Sequence, residues 1–289
     1  MMHPGAAMPA ATFFLMVLFV ALFGAGARAQ EPGYLEKAVC GALTERVGFF
    51  LLRAVAGRPR LDRSEAIEGL EPVSFRTKDQ RLLGGYKHRA IVPAGLAPRG
   101  YVLVTQGNAM LAEHTVPVLR FFAQAGFDAF AFDFRGYGTS EGRSRMAAIL
   151  SDYVEIIGHL NGKGYTKSLL YGMSLGGVIF LNAIGAGVSF DAAVIDSAPS
   201  RITRYGCPSE LNPVDNVPRD CSNLMVIVGG SDRVVPLKDS RELAESVAAR
   251  GGTIVRRDEF AHPFQDVSIG VALARLELVR EFFEGTIGR

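Results

Sequence analysis

Ser174 stands in the run Gly172-Met173-Ser174-Leu175-Gly176, between a short apolar segment at 169–171 and an apolar helical pattern. A serine hydroxyl is a weak nucleophile until a base takes its proton. The base is usually a histidine, and a carboxylate holds that histidine's tautomer and stabilises its charged form. A G-x-S-x-G turn between strand and helix is one backbone arrangement that exposes such a serine. Gly and Ser also favour ordinary tight turns, so the pentapeptide by itself leaves both readings open. Partners for the chemistry follow downstream: Asp232 in Gly229-Gly230-Ser231-Asp232, then His262 in Ala261-His262-Pro263. Asp232 sits in good turn chemistry of its own, and Asp196 is a rival for the acid. Among the other histidines, His88 and His114 fall early in the chain and His159 falls on an expected helix face.

These residues need elements that aim them at one point. Strand patterns recur at 73–79, 85–92, 100–107, 127–134, 169–172, 191–198, 224–230 and 253–260. Helical spacing appears at 34–56, 113–125, 145–160, 175–186, 237–250 and 267–284. The run at 100–107 is continuously apolar, as for a strand buried on both faces. Strands and helices in alternation predict an α/β domain with a mostly parallel sheet of eight strands and helices on both faces. In such sheets chemistry collects at the carboxyl ends of the strands, and Ser174, Asp232 and His262 each follow one. In the first helical stretch, Leu35, Val39, Leu43, Val47, Phe50 and Leu51 form a stripe that predicts packing against the domain.

Five segments in this order carry a resemblance: 106–110 (QGNAM), 133–142 (DFRGYGTSEG), 172–177 (GMSLGG), 229–236 (GGSDRVVP) and 261–264 (AHPF). Across roughly 70–285 the chain resembles the α/β-hydrolases, and within them the peptidase/esterase-like, BEM46-type serine hydrolases. The resemblance implies Ser174 as nucleophile, Asp232 as acid and His262 as base, in the chain order of that fold. It also implies an oxyanion hole made by the backbone N–H of Leu175 and of Asn108, with Ala109 as neighbour. Where that family usually carries His-Gly, this chain has Gln106-Gly107, and Gln106 is expected to keep the hydrogen bonds that organise the turn. Asp133 and Arg135 are expected in a structural network, and Met173 in packing. The implied activity is cleavage of an ester, thioester or amide through an acyl-enzyme. An acyltransferase on the same residues and a non-catalytic binding protein are the alternatives. About two dozen residues separate the strands at 191–198 and 224–230, which predicts a minimal cap, an open pocket and small or medium acyl groups.

Composition narrows the partners. The chain has 289 residues, 48% of them hydrophobic, and a net charge of +2. Such a balance gives no footprint for nucleic acid. The five histidines are scattered and no C-x-x-C pair occurs, so no metal or cofactor is called for. A small-molecule or lipid-like acyl substrate is the expected partner.

Residues 13–24 are continuously apolar and lead to Ala27-Arg28-Ala29, a small-x-small pattern that predicts a signal peptide over 1–29 with cleavage before Gln30. An uncleaved membrane anchor is the alternative, and membrane association is expected only in that case. The expected organisation is therefore a leader at 1–29, a helical extension at 30–69 and the catalytic domain at 70–289, in a periplasmic or secreted protein. In an oxidising compartment the three cysteines allow three pairings. The Pro-rich segment between Cys207 and Cys221 favours a bridge closing that loop, leaving Cys40 free.

Overall fold

The strands carry apolar residues on both sides of their pleat, and that pattern dictates two layers of helix. The computed structural model describes residues 34–59 and 67–288. Eight strands lie in the order β1-β2-β4-β3-β5-β6-β7-β8. They are β1 (Leu70–Arg76), β2 (Leu82–His88), β3 (Tyr101–Thr105), β4 (Asp128–Phe132), β5 (Ser168–Met173), β6 (Ala192–Asp196), β7 (Leu224–Gly229) and β8 (Thr253–Arg257). β1 pairs antiparallel with β2 and β2 antiparallel with β4, while every pair from β4 to β8 is parallel. The helices are α1 (Ala42–Ala56), α2 (Val116–Gln124), α3 (Met146–Asn161), α4 (Leu175–Gly185), α5 (Leu237–Ala248) and α6 (Ile269–Ile287).

Successive side chains of a strand point to opposite faces, and the core divides accordingly. Leu103, Leu170, Ile195 and Val226 join one cluster with Phe49 of α1, Ile149 of α3, Ile179 of α4 and Leu243 of α5. Their neighbours Val104, Leu169, Val194 and Ile227 join the other, with Leu119 of α2 and Phe283 of α6. Because β3 to β8 run parallel, their carboxyl ends share one edge. Gln106, Asp133, Ser174, Asp196, Asp232 and His262 all lie at or just beyond those ends. The compact unit runs from Gly33 to Arg289. The expected leader at 1–29 lies outside the described residues. Among the described residues no helix is long and apolar enough to cross a membrane.

The first helix departs from expectation in two ways. It begins at Ala42, after Gly41 at φ 69°, with only a short turn (Tyr34–Glu36) before it. It also packs through Glu45, Phe49, Leu52 and Ala56, while Leu43, Val47, Phe50 and Leu51 of the expected stripe are exposed. Both faces of this helix carry apolar residues, so periodicity by itself selected the wrong one. Glu45 decides the packing. Its carboxylate accepts from the N–H groups of Val39, Cys40 and Met146, each at 2.6 Å. Met146 opens α3, so the acid also meets the positive end of that helix. Glu36, equally buried, faces the Arg81 guanidinium at 3.2 Å and accepts from the Arg143 N–H at 3.0 Å.

The expected Cys207–Cys221 bridge is incorrect: the disulfide joins Cys40 to Cys207, and Cys221 is a buried free thiol. The physical reason is the direction of the strands. Cys221 precedes β7 and its N–H donates to Arg250 O, at the amino edge of the sheet, whereas Cys207 borders the cavity at the carboxyl edge. The segment between them needs no staple. Asn212 Oδ1 accepts from the Ile202 and Thr203 N–H groups, and Asn216 Nδ2 donates to the carbonyls of Glu210 and Asn212. Non-reducing peptide mapping is expected to recover Cys40 linked to Cys207 with Cys221 alkylated only after unfolding; a Cys207–Cys221 link would contradict the packing described.

Candidate active site

Ser174 joins β5 to α4 with φ 54° and ψ −115°, a backbone conformation that L-residues rarely adopt. Three backbone hydrogen bonds hold it: its N–H donates to Asp196 O at 2.8 Å, and its carbonyl accepts from the Gly177 N–H at 3.0 Å and the Val178 N–H at 3.3 Å. The turn is possible because its neighbours lack side chains. A Cβ on Gly172 would lie 2.7 Å from Gly176 O, and one on Gly176 would lie 2.2 Å from Thr105 O. Leu175 occupies the first position of α4, so its N–H is one of those the helix leaves without an internal partner. Met173 is buried in the core, consistent with a packing role.

His262 follows β8 and Asp232 follows β7. His262 Nδ1 lies 2.8 Å from Asp232 Oδ2, and since a carboxylate only accepts, that nitrogen carries the proton and Nε2 is left as the basic atom. Asp232 Oδ1 accepts from the Val234 and Val235 N–H groups, both at 2.8 Å. Burial pushes the Asp232 carboxyl upward, but His262 and the two backbone donors outweigh it, and its pKa falls below the ordinary value. The carboxylate therefore stays ionised at neutral pH, and the stability it contributes is lost as pH falls through that lowered value.

Asp196, the rival acid, is committed elsewhere. It is completely buried, and it meets Arg275 Nη1 at 2.8 Å, the Tyr171 hydroxyl at 2.9 Å and the Ser197 hydroxyl at 3.1 Å. Burial raises the Asp196 carboxyl, with Arg275 offsetting part of that cost. Arg275 also donates to Asp266 through Nε and Nη2 and to Ala261 O at 2.7 Å, while its guanidinium lies over the Phe260 ring. Asp266 in turn accepts from the Ala261 N–H at 2.9 Å. The loop bearing His262 is thus clamped on the residue just before the histidine.

On the other side, Asn108 Oδ1 accepts from the Tyr137 hydroxyl at 2.9 Å and from the Ala109 N–H at 3.0 Å. No described residue accepts from the Asn108 N–H. Gln106 is fully buried and its Nε2 donates to Phe132 O at 2.9 Å, tying the turn after β3 to the end of β4. Asp133 and Arg135 lie in structural networks. Asp133 accepts from the Ala112 and Thr139 N–H groups, and Arg135 meets Asp152 and Asp79. Ala109, Ser174 and Phe264 are three of the five non-glycine residues with positive φ among those described, and all three line one cavity. Strained backbone of this kind clusters at active sites and ligand clamps. Among the described residues no group of three or more His, Cys, Asp or Glu is arranged to hold a metal ion.

Two cavities meet at Ser174. One, of about 380 Å³, is lined by His262, Phe264, Gln265, His114 and Met110. The other, of about 340 Å³, runs beneath α1 and is lined mainly by apolar side chains such as Phe49, Leu52, Met146, Val178 and Ile202. Ser174 and Asn108 border both. Both cavities are partly open, and the extension before β1 adds cover to the second through α1, which the short β6–β7 segment does not predict.

Solved structures share this architecture. An esterase from Pyrococcus furiosus, Pf2001, superposes with a TM-score of 0.60 at 18% identity, over 75% of this chain and 92% of that one. The chain has the α/β-hydrolase fold. The match to an esterase domain from Rhodothermus marinus covers 73% of this chain and 96% of that one, with a TM-score of 0.56 and 18% identity. Residues 97–215 match the family model described as Serine aminopeptidase, S33. The protein YfhR of Escherichia coli K12, itself uncharacterized, is 25% identical over an alignment of 198 residues that covers 60% of this chain. That match spans 66% of YfhR, just under two thirds.

Sequence reasoning missed Arg275, Asp266 and Glu45: Arg275 and Glu45 meet partners far along the chain, Asp196 and Met146, and Asp266 acts through Arg275, and none belongs to a local motif. The one available signal was an arginine following directly on the apolar run at 269–274. Replacing Arg275 with Met leaves Asp196 buried without its cation. Urea unfolding of Arg275→Met is expected to show a loss of about 3–5 kcal/mol; a loss below about 1 kcal/mol, the worth of a surface pair, would contradict the clamp.

Proposed function

We propose that this α/β-hydrolase is an exported serine hydrolase that cleaves an ester, thioester or amide through an acyl-enzyme on Ser174. One observation carries the reading: Ser174 and His262 border the same cavity, and the far nitrogen of His262 is held by the ionised Asp232. His262 Nε2 takes the Ser174 proton as Oγ attacks the carbonyl carbon, and Asp232 stabilises the imidazolium that forms. The Leu175 and Asn108 N–H groups receive the tetrahedral oxyanion. His262 then protonates the leaving group, and a water activated by the same nitrogen releases the acid and restores Ser174. Structural neighbours that are themselves esterases support an acyl substrate. The small-x-small site before Gln30 supports export, and so does a disulfide, which persists in oxidising compartments.

The test is a panel of p-nitrophenyl esters and peptide amides, applied to protein recovered from outside the cytoplasm and expected to begin at Gln30. Hydrolysis by the wild type should fall about 10⁵–10⁶-fold in Ser174→Ala and about 10⁴-fold in Asp232→Asn. Wild-type rates surviving in a folded Ser174→Ala protein would refute the proposal.

A further inference from the structure

We propose that the cavity beneath α1 is an acyl-chain site for unbranched, medium-length acyl groups, and that Gly48 sets the length it accepts. This inference rests on the hydrolase reading above and adds the substrate class. The direction of the substrate follows from where the proton must go. His262 delivers a proton to the leaving group, so that group departs on the His262 side. His262 lines the cavity shared with His114 and Gln265 and does not line the one beneath α1. The acyl group therefore points the other way, under the helix.

The chemistry of that second cavity suits a hydrocarbon chain. Phe49, Leu52, Met146, Val178, Ile202 and Val235 line it, and its single acid, Glu45, has its carboxylate engaged by three backbone N–H groups. Its volume is about 340 Å³. At the ~30 Å³ share of one water, which a methylene roughly matches, this holds a chain of about ten carbons. Part of its wall is α1, fastened by the Cys40–Cys207 disulfide and by Glu45.

Gly48 lies in the middle of α1 and lines this cavity, and a Cβ built there meets no atom within 4 Å. A glycine inside a helix weakens it relative to alanine, and here nothing crowds the position. The missing side chain leaves the cavity long instead of allowing a close backbone contact. Each added acyl methylene that becomes buried should raise kcat/KM by up to about fourfold until the chain meets the roof.

The experiment compares p-nitrophenyl octanoate with butyrate in the wild type and in Gly48→Trp. The ratio of the two kcat/KM values within one protein is independent of the fraction folded. We expect the octanoate-to-butyrate ratio to fall at least tenfold in Gly48→Trp, and a ratio equal to wild type would overturn the inference. A second readout needs no turnover. Decanoate should raise the melting temperature of Ser174→Ala but not of Ser174→Ala/Gly48→Trp, and equal shifts, or none in either, would overturn it. If the protein hydrolyses no ester and decanoate still discriminates the two variants, the acyl site stands and the hydrolase proposal falls.

Discussion

The site depends on one strained residue. Ser174 is held at φ 54° and ψ −115°, a conformation that costs on the order of 1–3 kcal/mol and persists only where its surroundings over-determine it. The surroundings here are the glycines that let α4 approach β5 and β3 at contact distance, and the Asp196 carbonyl that receives the Ser174 N–H. Asp196 is fixed in turn by Arg275, and Arg275 also grips Ala261 and Asp266 beside His262. The same buried guanidinium therefore links the backbone under the serine to the loop carrying the histidine. Asp232 reaches His262 from β7 independently, so the imidazole is restrained from both ends of its loop.

A second constraint comes from outside the sheet. The segment between β6 and β7 borders the carboxyl edge through Ile202, Tyr205 and Cys207, and α1 adds the cover that this short segment lacks. It is anchored by a disulfide to Cys207, by Glu45 to the start of α3 and by Arg53 to Gly136 O. One face of α1 lines the apolar cavity, and the other leaves Leu43, Phe50 and Val55 exposed. Export, the disulfide and the roof belong together in the proposed account, because the helix that shapes the cavity is held by a bond that an oxidising compartment maintains.

The eight strands, their parallel run and the strand-end positions of Ser174, Asp232 and His262 were legible in the sequence, since they follow from short-range patterns. Fully buried strands read as continuous apolar runs, and the turn glycines are local. What was illegible is long-range. Cys40 and Cys207 are separated by 167 residues, and only the strand directions show that Cys221 lies on the opposite edge. The inward face of α1 was hidden because the helix is apolar on both sides and a buried glutamate, not hydrophobic spacing, chooses between them. Arg275 looks like an ordinary helix residue until its three partners from the β6 end and the His262 loop are brought together. The segment between the strand patterns at 191–198 and 224–230 reads as too short for a large lid, but a cap supplied from before β1 has no signature at that place.

The central claim is that Ser174 is a nucleophile activated by His262. Treating folded protein with an alkyl fluorophosphonate and mapping the adduct by peptide mass spectrometry tests it directly. The account predicts a single adduct on Ser174 that His262→Ala suppresses. An unmodified Ser174 in folded wild-type protein, or labelling undiminished by His262→Ala, would contradict it.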